Sequence, residues 1–116
     1  MALIYHITAA SDWAQAQRDG EYRLSTRGRT LAQEGFIHAG TARQVAPVAN
    51  AFYQGMTDLV VLVIDTGRVR PEIRYDLVPG QPDPFPHIYG PLNADAVVRA
   101  VPLAADATGS YSFVAD

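Results

Sequence analysis

Leu59-Val60-Val61-Leu62-Val63-Ile64 is the stretch that decides the fold. Six consecutive apolar residues, four of them β-branched, show no polar alternation. A strand with one wet face alternates, so this one is expected to be covered on both faces and to run through the middle of a sheet. It is far too short to span a bilayer. Asp65 ends the run, and Thr66-Gly67 begins a turn.

On the N-terminal side of this run lies an amphipathic helix. Val45, Val48, Ala49, Phe52 and Tyr53 fall at i, i+3, i+4, i+7 and i+8, an apolar stripe. Thr41 with Gln44 three residues later has the spacing of a capping box, and Gly55 is a natural stop. Pro47 is the irregularity, because proline lacks the N–H and crowds the preceding turn. Before the helix, Phe36–Gly40 reads as a strand with Phe36, His38 and Gly40 on one face. Thr30–Glu34 reads as a short helix ended by Gly35. Glu21–Thr30 is a polar, arginine-rich loop. At the start, Leu3–Thr8 alternates as a strand, with Leu3, Tyr5 and Ile7 on one face and Ile4, His6 and Thr8 on the other. Ser11 is the expected cap of a helix to Gly20, with Trp13 as a core anchor.

On the C-terminal side, Val69–Leu77 reads as a weaker strand interrupted near Pro71. Val78–Pro84 is a loop by composition. Phe85–Tyr89 should be extended, because Pro84 and Pro86 each hold the preceding residue out of the helical region. Asn93 is placed to cap a helical turn, Ala96–Leu103 reads as a late strand, and Ser110–Val114 as an edge strand or a frayed tail. Strands and short helices mix without a βαβ rhythm, so the expected class is α+β: a small single domain over residues 1–116, with a mixed or antiparallel split β-sheet.

Composition narrows the function. The hydrophobic fraction of 48% and charged fraction of 18% suit a globular chain. A net charge of −3 argues against a protein that coats nucleic acid. With no cysteine there is no disulfide, thiolate metal site or thiol nucleophile, and a reducing cytoplasm is the simple expectation. All nine basic residues are arginine, so any anion would be held by guanidinium forks or backbone N–H groups. Nothing at the N-terminus resembles a signal peptide, and no run is long enough for a membrane span. The phosphate-loop, Gly-x-Gly-x-x-Gly and Gly-x-Ser-x-Gly motifs are absent.

The chain's three histidines sit in three strand-like stretches: His6, His38 and His87. A lone histidine on an apolar strand is commonly structural. Three of them beside Gly, Thr or Tyr suggest convergence on one polar pocket, where imidazoles exchange protons near neutral pH. Three imidazoles also suit zinc, although no short-spaced ligand pair is present. Thr41, at the start of a helix just after His38, is placed to favour an anion or a ribose–phosphate. Tyr89 and Tyr5 are candidates to stack a flat ring.

Tyr5-His6-Ile7-Thr8, Trp13, Gly20-Glu21-Tyr22, Gly35-Phe36-Ile37-His38, Gln44, Asp58-Leu59-Val60 and Phe85-Pro86-His87-Ile88-Tyr89-Gly90-Pro91-Leu92 together resemble the bacterial family known as domain of unknown function 952. The resemblance spans nearly the whole chain. It implies a compact form of the ADP-ribosyltransferase-like fold, which grips NAD in a cleft. The order His6-x-Thr8, Trp13, Ile37-His38 is also similar to the opening of the RNA 2′-phosphotransferases. That likeness implies His6 and Thr8 at a ribose and His38 at a substrate oxygen, with His87 and Tyr89 closing the pocket. His38 and His87 are then the catalytic candidates, and His6, Thr8, Thr41 and Tyr89 the groups that bind NAD or a related small nucleotide. The sequence departs from the transferases in one respect: Ala96–Leu103 carries no glutamate, and only Asp95 precedes it. A non-catalytic binding module and a histidine-lined metal hydrolase stay open as alternatives. Oligomeric state is not legible.

Overall fold

The apolar run forms β4 (Leu59–Asp65), the middle strand of a three-stranded antiparallel sheet in the computed structural model, which describes residues 2–25 and 29–114. Its neighbours are β1 (Leu3–Ala9) and β8 (Val97–Leu103). Tyr5 pairs with Val63 and His6 with Leu62, and Val61 pairs with Val101 on the other side. Val61, Leu62, Val63 and Ile64 are all fully buried. Burying each such side chain contributes about 1.5–3 kcal/mol, which is why a run without alternation settles between two layers.

Those layers form two cores, one on each face. Ile4, Leu62 and Ile64 face a core built with Ala16, Tyr22, Ile37, Ile88 and Leu92, against which Trp13 packs. Tyr5, Ile7, Leu59, Val61 and Val63 face the other core, with Val45, Ala49, Tyr53 and Tyr111. The first core is covered by α1 (Ala10–Asp19) and the remaining strands, the second by α3 (Ala42–Phe52). The alternation read in Leu3–Thr8 is the alternation between these cores.

The other strands form a second three-stranded sheet, ordered β3 (Ile37–His38), β6 (Phe85–Tyr89), β5 (Glu72–Asp76), and a small pair, β2 (Glu21–Tyr22) with β7 (Leu92–Asn93). All pairings are antiparallel. Tyr5 and Gly40 exchange two 2.8 Å backbone hydrogen bonds, which tie the first sheet to the end of β3. Pro86 lies inside the middle strand β6 and has no N–H to give. Its carbonyl accepts from Ala39 N–H at 3.2 Å, on the side where β3 is already ending, so the missing donor costs little. This is the antiparallel, split arrangement of an α+β protein.

Local differences have local causes. α1 begins at Ala10 with Ala9 as its cap, and Ser11 lies inside the first turn. The first helical N–H does not need a side-chain cap, because Ala10 N–H reaches the Asp58 carbonyl at 2.8 Å. α2 (Leu31–Glu34) has Thr30 and Gln33 as a capping box and ends at Gly35 in the left-handed region, φ 86°. α3 runs through Pro47 and stops at Phe52, which is 58% exposed rather than part of the buried stripe. Asn93 caps a 3-10 turn but spends its side chain on Arg70 N–H, the Arg68 carbonyl and Asp95. Within Ser110–Val114 the structure has no strand, only a single bridge from Tyr111 to Ala105. Tyr111 is buried, and its hydroxyl shares its one proton between the Tyr53 and Met56 carbonyls, 2.7 and 2.8 Å away. Among the described residues no helix is long and apolar enough to cross a membrane.

Candidate functional site

The register of the second sheet sets His38 directly opposite His87. Their rings meet edge to face, with centroids 5.0 Å apart. Phe36 completes the cluster, stacked on His87 at 4.2 Å and edge-on to His38 at 4.7 Å. The two imidazoles open on a groove of about 720 Å³, whose lining also includes His6. One wall is apolar, from Phe85, Val48 and Phe52, and the rim carries Glu34, Arg43, Gln44 and Asp83. Gln44 pins two sides of this rim, accepting from Thr41 N–H at 2.9 Å and donating to the Pro84 carbonyl at 3.1 Å.

His6 forms part of the floor, and its nitrogens are spent inside the protein. Nδ1 bonds the His38 carbonyl, and Nε2 lies 2.7 Å from Tyr22 Oη, which is also 2.7 Å from Thr8 Oγ1. A carbonyl only accepts, so Nδ1 carries the proton. Burial pushes the His6 pKa down to about 4, which makes the ring neutral and Nε2 an acceptor. One direction of donation satisfies every group: Thr8 to Tyr22, Tyr22 to His6, and His6 to the backbone of β3. The same burial pushes the Tyr22 pKa up. This chain of bonds holds β3, and with it His38, against the first sheet.

His38 and His87 are each held by a carboxylate. His38 Nε2 is 3.3 Å from Glu34 Oε1, and burial lowers its pKa against the pull of that carboxylate. His87 Nδ1 donates to Asp76 Oδ2 at 2.8 Å, and Tyr89 donates to the same oxygen at 2.5 Å. These bonds, Tyr89 first, hold the Asp76 carboxyl below its usual range, while the Tyr89 phenol is raised. Arg74 lies 4.5 Å over the Tyr89 ring and pairs with Glu72 at 3.0 Å. In the neutral ring, with Nε2 of His38 or Nδ1 of His87 bonded to its acid, the other nitrogen is an acceptor. Two adjacent acceptors can receive a ligand's N–H or O–H groups and can take up a proton.

Of the residues singled out in the sequence, His6, His38 and His87 line the groove. Thr8, Thr41 and Tyr89 lie outside its lining. The Thr8 hydroxyl is bonded to Tyr22 beside a separate hollow of about 280 Å³. Thr41 serves the start of α3. Tyr89 holds Asp76, and His6 braces β3 with no ring nitrogen left over. Sequence reasoning missed Asp76, Glu34 and Tyr22. Asp76 was legible in one respect: a strand at 69–77 pairing as a hairpin with 85–89 brings Arg74 and Asp76 alongside His87. Among the described residues no three His, Cys, Asp or Glu side chains converge on a metal position, so the metal-hydrolase alternative finds no ligand set there.

Comparison with solved structures shows the same fold in protein CC0527 from Caulobacter crescentus. Its crystal structure is 27% identical, covers 96% of this chain and 94% of its own, and superposes with a TM-score of 0.83. A double-mutant crystal structure of that protein is 28% identical, with equal coverage and TM-score. Its solution structure is 29% identical, covering 95% and 91% with a TM-score of 0.77. No curated protein matches the chain. A family model described as "Protein of unknown function (DUF952)" matches residues 7–100, and the chain belongs to that family.

Proposed function

We propose that the groove binds a nucleotide of the NAD class, with His38 and His87 at the bond or group to be recognised. The observation that carries this reading is the meeting of two carboxylate-held imidazoles, ring to ring, in one groove. Its volume of about 720 Å³ suits a dinucleotide or one half of it, since ligand sites commonly run to about 300–1,000 Å³. The apolar wall suits a flat base. Arg43 at the rim has no ion-pair partner among the described residues and lies in the first turn of α3, a favourable place for a phosphate.

Binding is better supported than chemistry. β8 contributes nothing to the groove lining. Glu34 reaches the groove but is engaged by Arg29 at 2.8 Å as well as by His38. Glycosyl transfer needs a counter-charge for the developing cation, a term often worth about 3–4 kcal/mol. These engaged carboxylates favour, as a second reading, a binding module without turnover.

Calorimetry with NAD and ADP-ribose tests the shared premise. Heat of binding is expected with both, weakened by Arg43→Ala and by His38→Ala; no heat at millimolar ligand rejects both readings. Nicotinamide release from NAD then separates enzyme from binder.

A further inference from the structure

The nucleotide reading uses Asp76 only as the carboxylate that holds His87, although Asp76 also decides which nitrogen His87 offers. We propose that Asp76 is a positioning residue: its carboxylate, 2.8 Å from His87 Nδ1, locks the proton on that nitrogen and makes Nε2 the acceptor for a ligand N–H or O–H in the groove.

A carboxylate only accepts, so the shared proton must sit on Nδ1. In water the neutral imidazole of histidine populates both tautomers, and the form protonated on Nε2 is favoured. Here the choice is imposed. Tyr89 donates to the same Asp76 oxygen at 2.5 Å and keeps it an acceptor. His87 is 3% exposed and stacked on Phe36 at 4.2 Å, so its ring has little room to turn over. Nε2 has no hydrogen-bond partner among the described residues. On a residue that lines the groove, an acceptor without a protein partner is open to a donor from ligand or water. Without Asp76 the Nδ1 proton loses its acceptor, and the ring reverts to the tautomer that donates into the groove. A ligand donor would then meet an N–H. The tautomer lock stands on geometry alone, and its ligand half rests on the nucleotide reading.

Imidazole ¹⁵N–¹H correlation spectra of the labelled protein above pH 7 test both halves. In the wild type, His87 is expected with its proton on Nδ1 and a bare Nε2. Asp76→Ala is expected to move the proton to Nε2, and Asp76→Asn to leave it on Nδ1, because an amide oxygen can take both donors. Two probes then identify the ligand donor: ADP-ribose has hydroxyls and no carboxamide, and nicotinamide has the reverse. The probe that supplies the donor shifts the His87 Nε2 resonance. Its affinity falls about three- to tenfold in Asp76→Ala, the scale of one net hydrogen bond, and changes less than about twofold in Asp76→Asn. A wild-type His87 protonated on Nε2, or an Asp76→Ala protein with an unchanged tautomer, overturns the lock. The wild-type spectrum suffices for that, so a variant that fails to fold leaves the test intact. The expected tautomer with neither probe shifting Nε2 overturns the ligand half, and the nucleotide reading falls with it only where calorimetry also shows no heat with NAD and ADP-ribose.

Discussion

Acid should unfold this protein through His6 before it reaches the usual carboxylates. His6 is 3% exposed, both its nitrogens are bonded internally, and its pKa is pushed down to about 4 by burial. In the unfolded chain the ring returns to its ordinary 6.5. Between those two values the unfolded state binds a proton that the folded state refuses. Stability therefore falls as pH drops from 6.5 towards 4 and levels off, for this group, below that. The interval corresponds to about 3 kcal/mol at 1.36 kcal/mol per pH unit, a large share of a total stability typically about 5–15 kcal/mol. His38, also lowered by burial, adds in the same direction. Asp76 acts in a lower window: its contribution is present above the ordinary carboxylate range and is lost as pH falls below it. Urea unfolding followed by Trp13 fluorescence at pH 7.5 and pH 4.5 measures the loss in wild type and in His6→Gln. The wild type should lose about 2–3 kcal/mol more than the variant over that interval. Equal losses in the two proteins, or a wild type equally stable at both pH values, would refute the neutral, internally bonded His6.

Three further outcomes are expected. Tyr22→Phe keeps the ring in the core but orphans His6 Nε2 and the Thr8 hydroxyl, at a cost of about 1–3 kcal/mol. For a domain of this size that lowers Tm by roughly 4–12 °C, and a melt within 2 °C of wild type would contradict the hydrogen-bond chain. Asn50 clasps Tyr111, accepting from its N–H at 2.8 Å and donating to its carbonyl at 3.0 Å. Asn50→Ala should lower stability by about 1–3 kcal/mol and speed amide exchange at Tyr111; unchanged exchange means the tail is held by other contacts. Gly90→Ala would place a Cβ 2.9 Å from Pro71 Cβ, an overpacking worth about 1–3 kcal/mol. A Gly90→Ala protein as stable as wild type in urea would show that the two segments part easily.

Much of the architecture was legible because it is local. Leu59–Ile64 announced a strand buried on both faces by lacking alternation, and Val61, Leu62, Val63 and Ile64 are indeed fully buried. Thr30 and Gly35 bracket α2 through capping and a left-handed turn, both properties of a few consecutive residues. Pro84 and Pro86 kept Phe85–Tyr89 extended by short-range sterics. Ser11 misled because its expected task, satisfying the first helical N–H, is done by the Asp58 carbonyl, a residue distant in the chain. Phe52 misled because periodicity identifies a stripe but not its width.

The histidines divide along the same line. Residue type and strand context marked His6, His38 and His87 as groups worth following, and the register of β3 on β6 brings two of them into ring contact. Their roles come from partners 4 to 32 residues away. His6 is tied to Tyr22 and the His38 backbone, His38 to Glu34, and His87 to Asp76. Periodicity, capping and proline sterics act over a few residues, so the order of amino acids alone settles where strands and helices form. Which nitrogen carries a proton depends on acceptors delivered by the packing of strands and helices, and only the folded chain decides that.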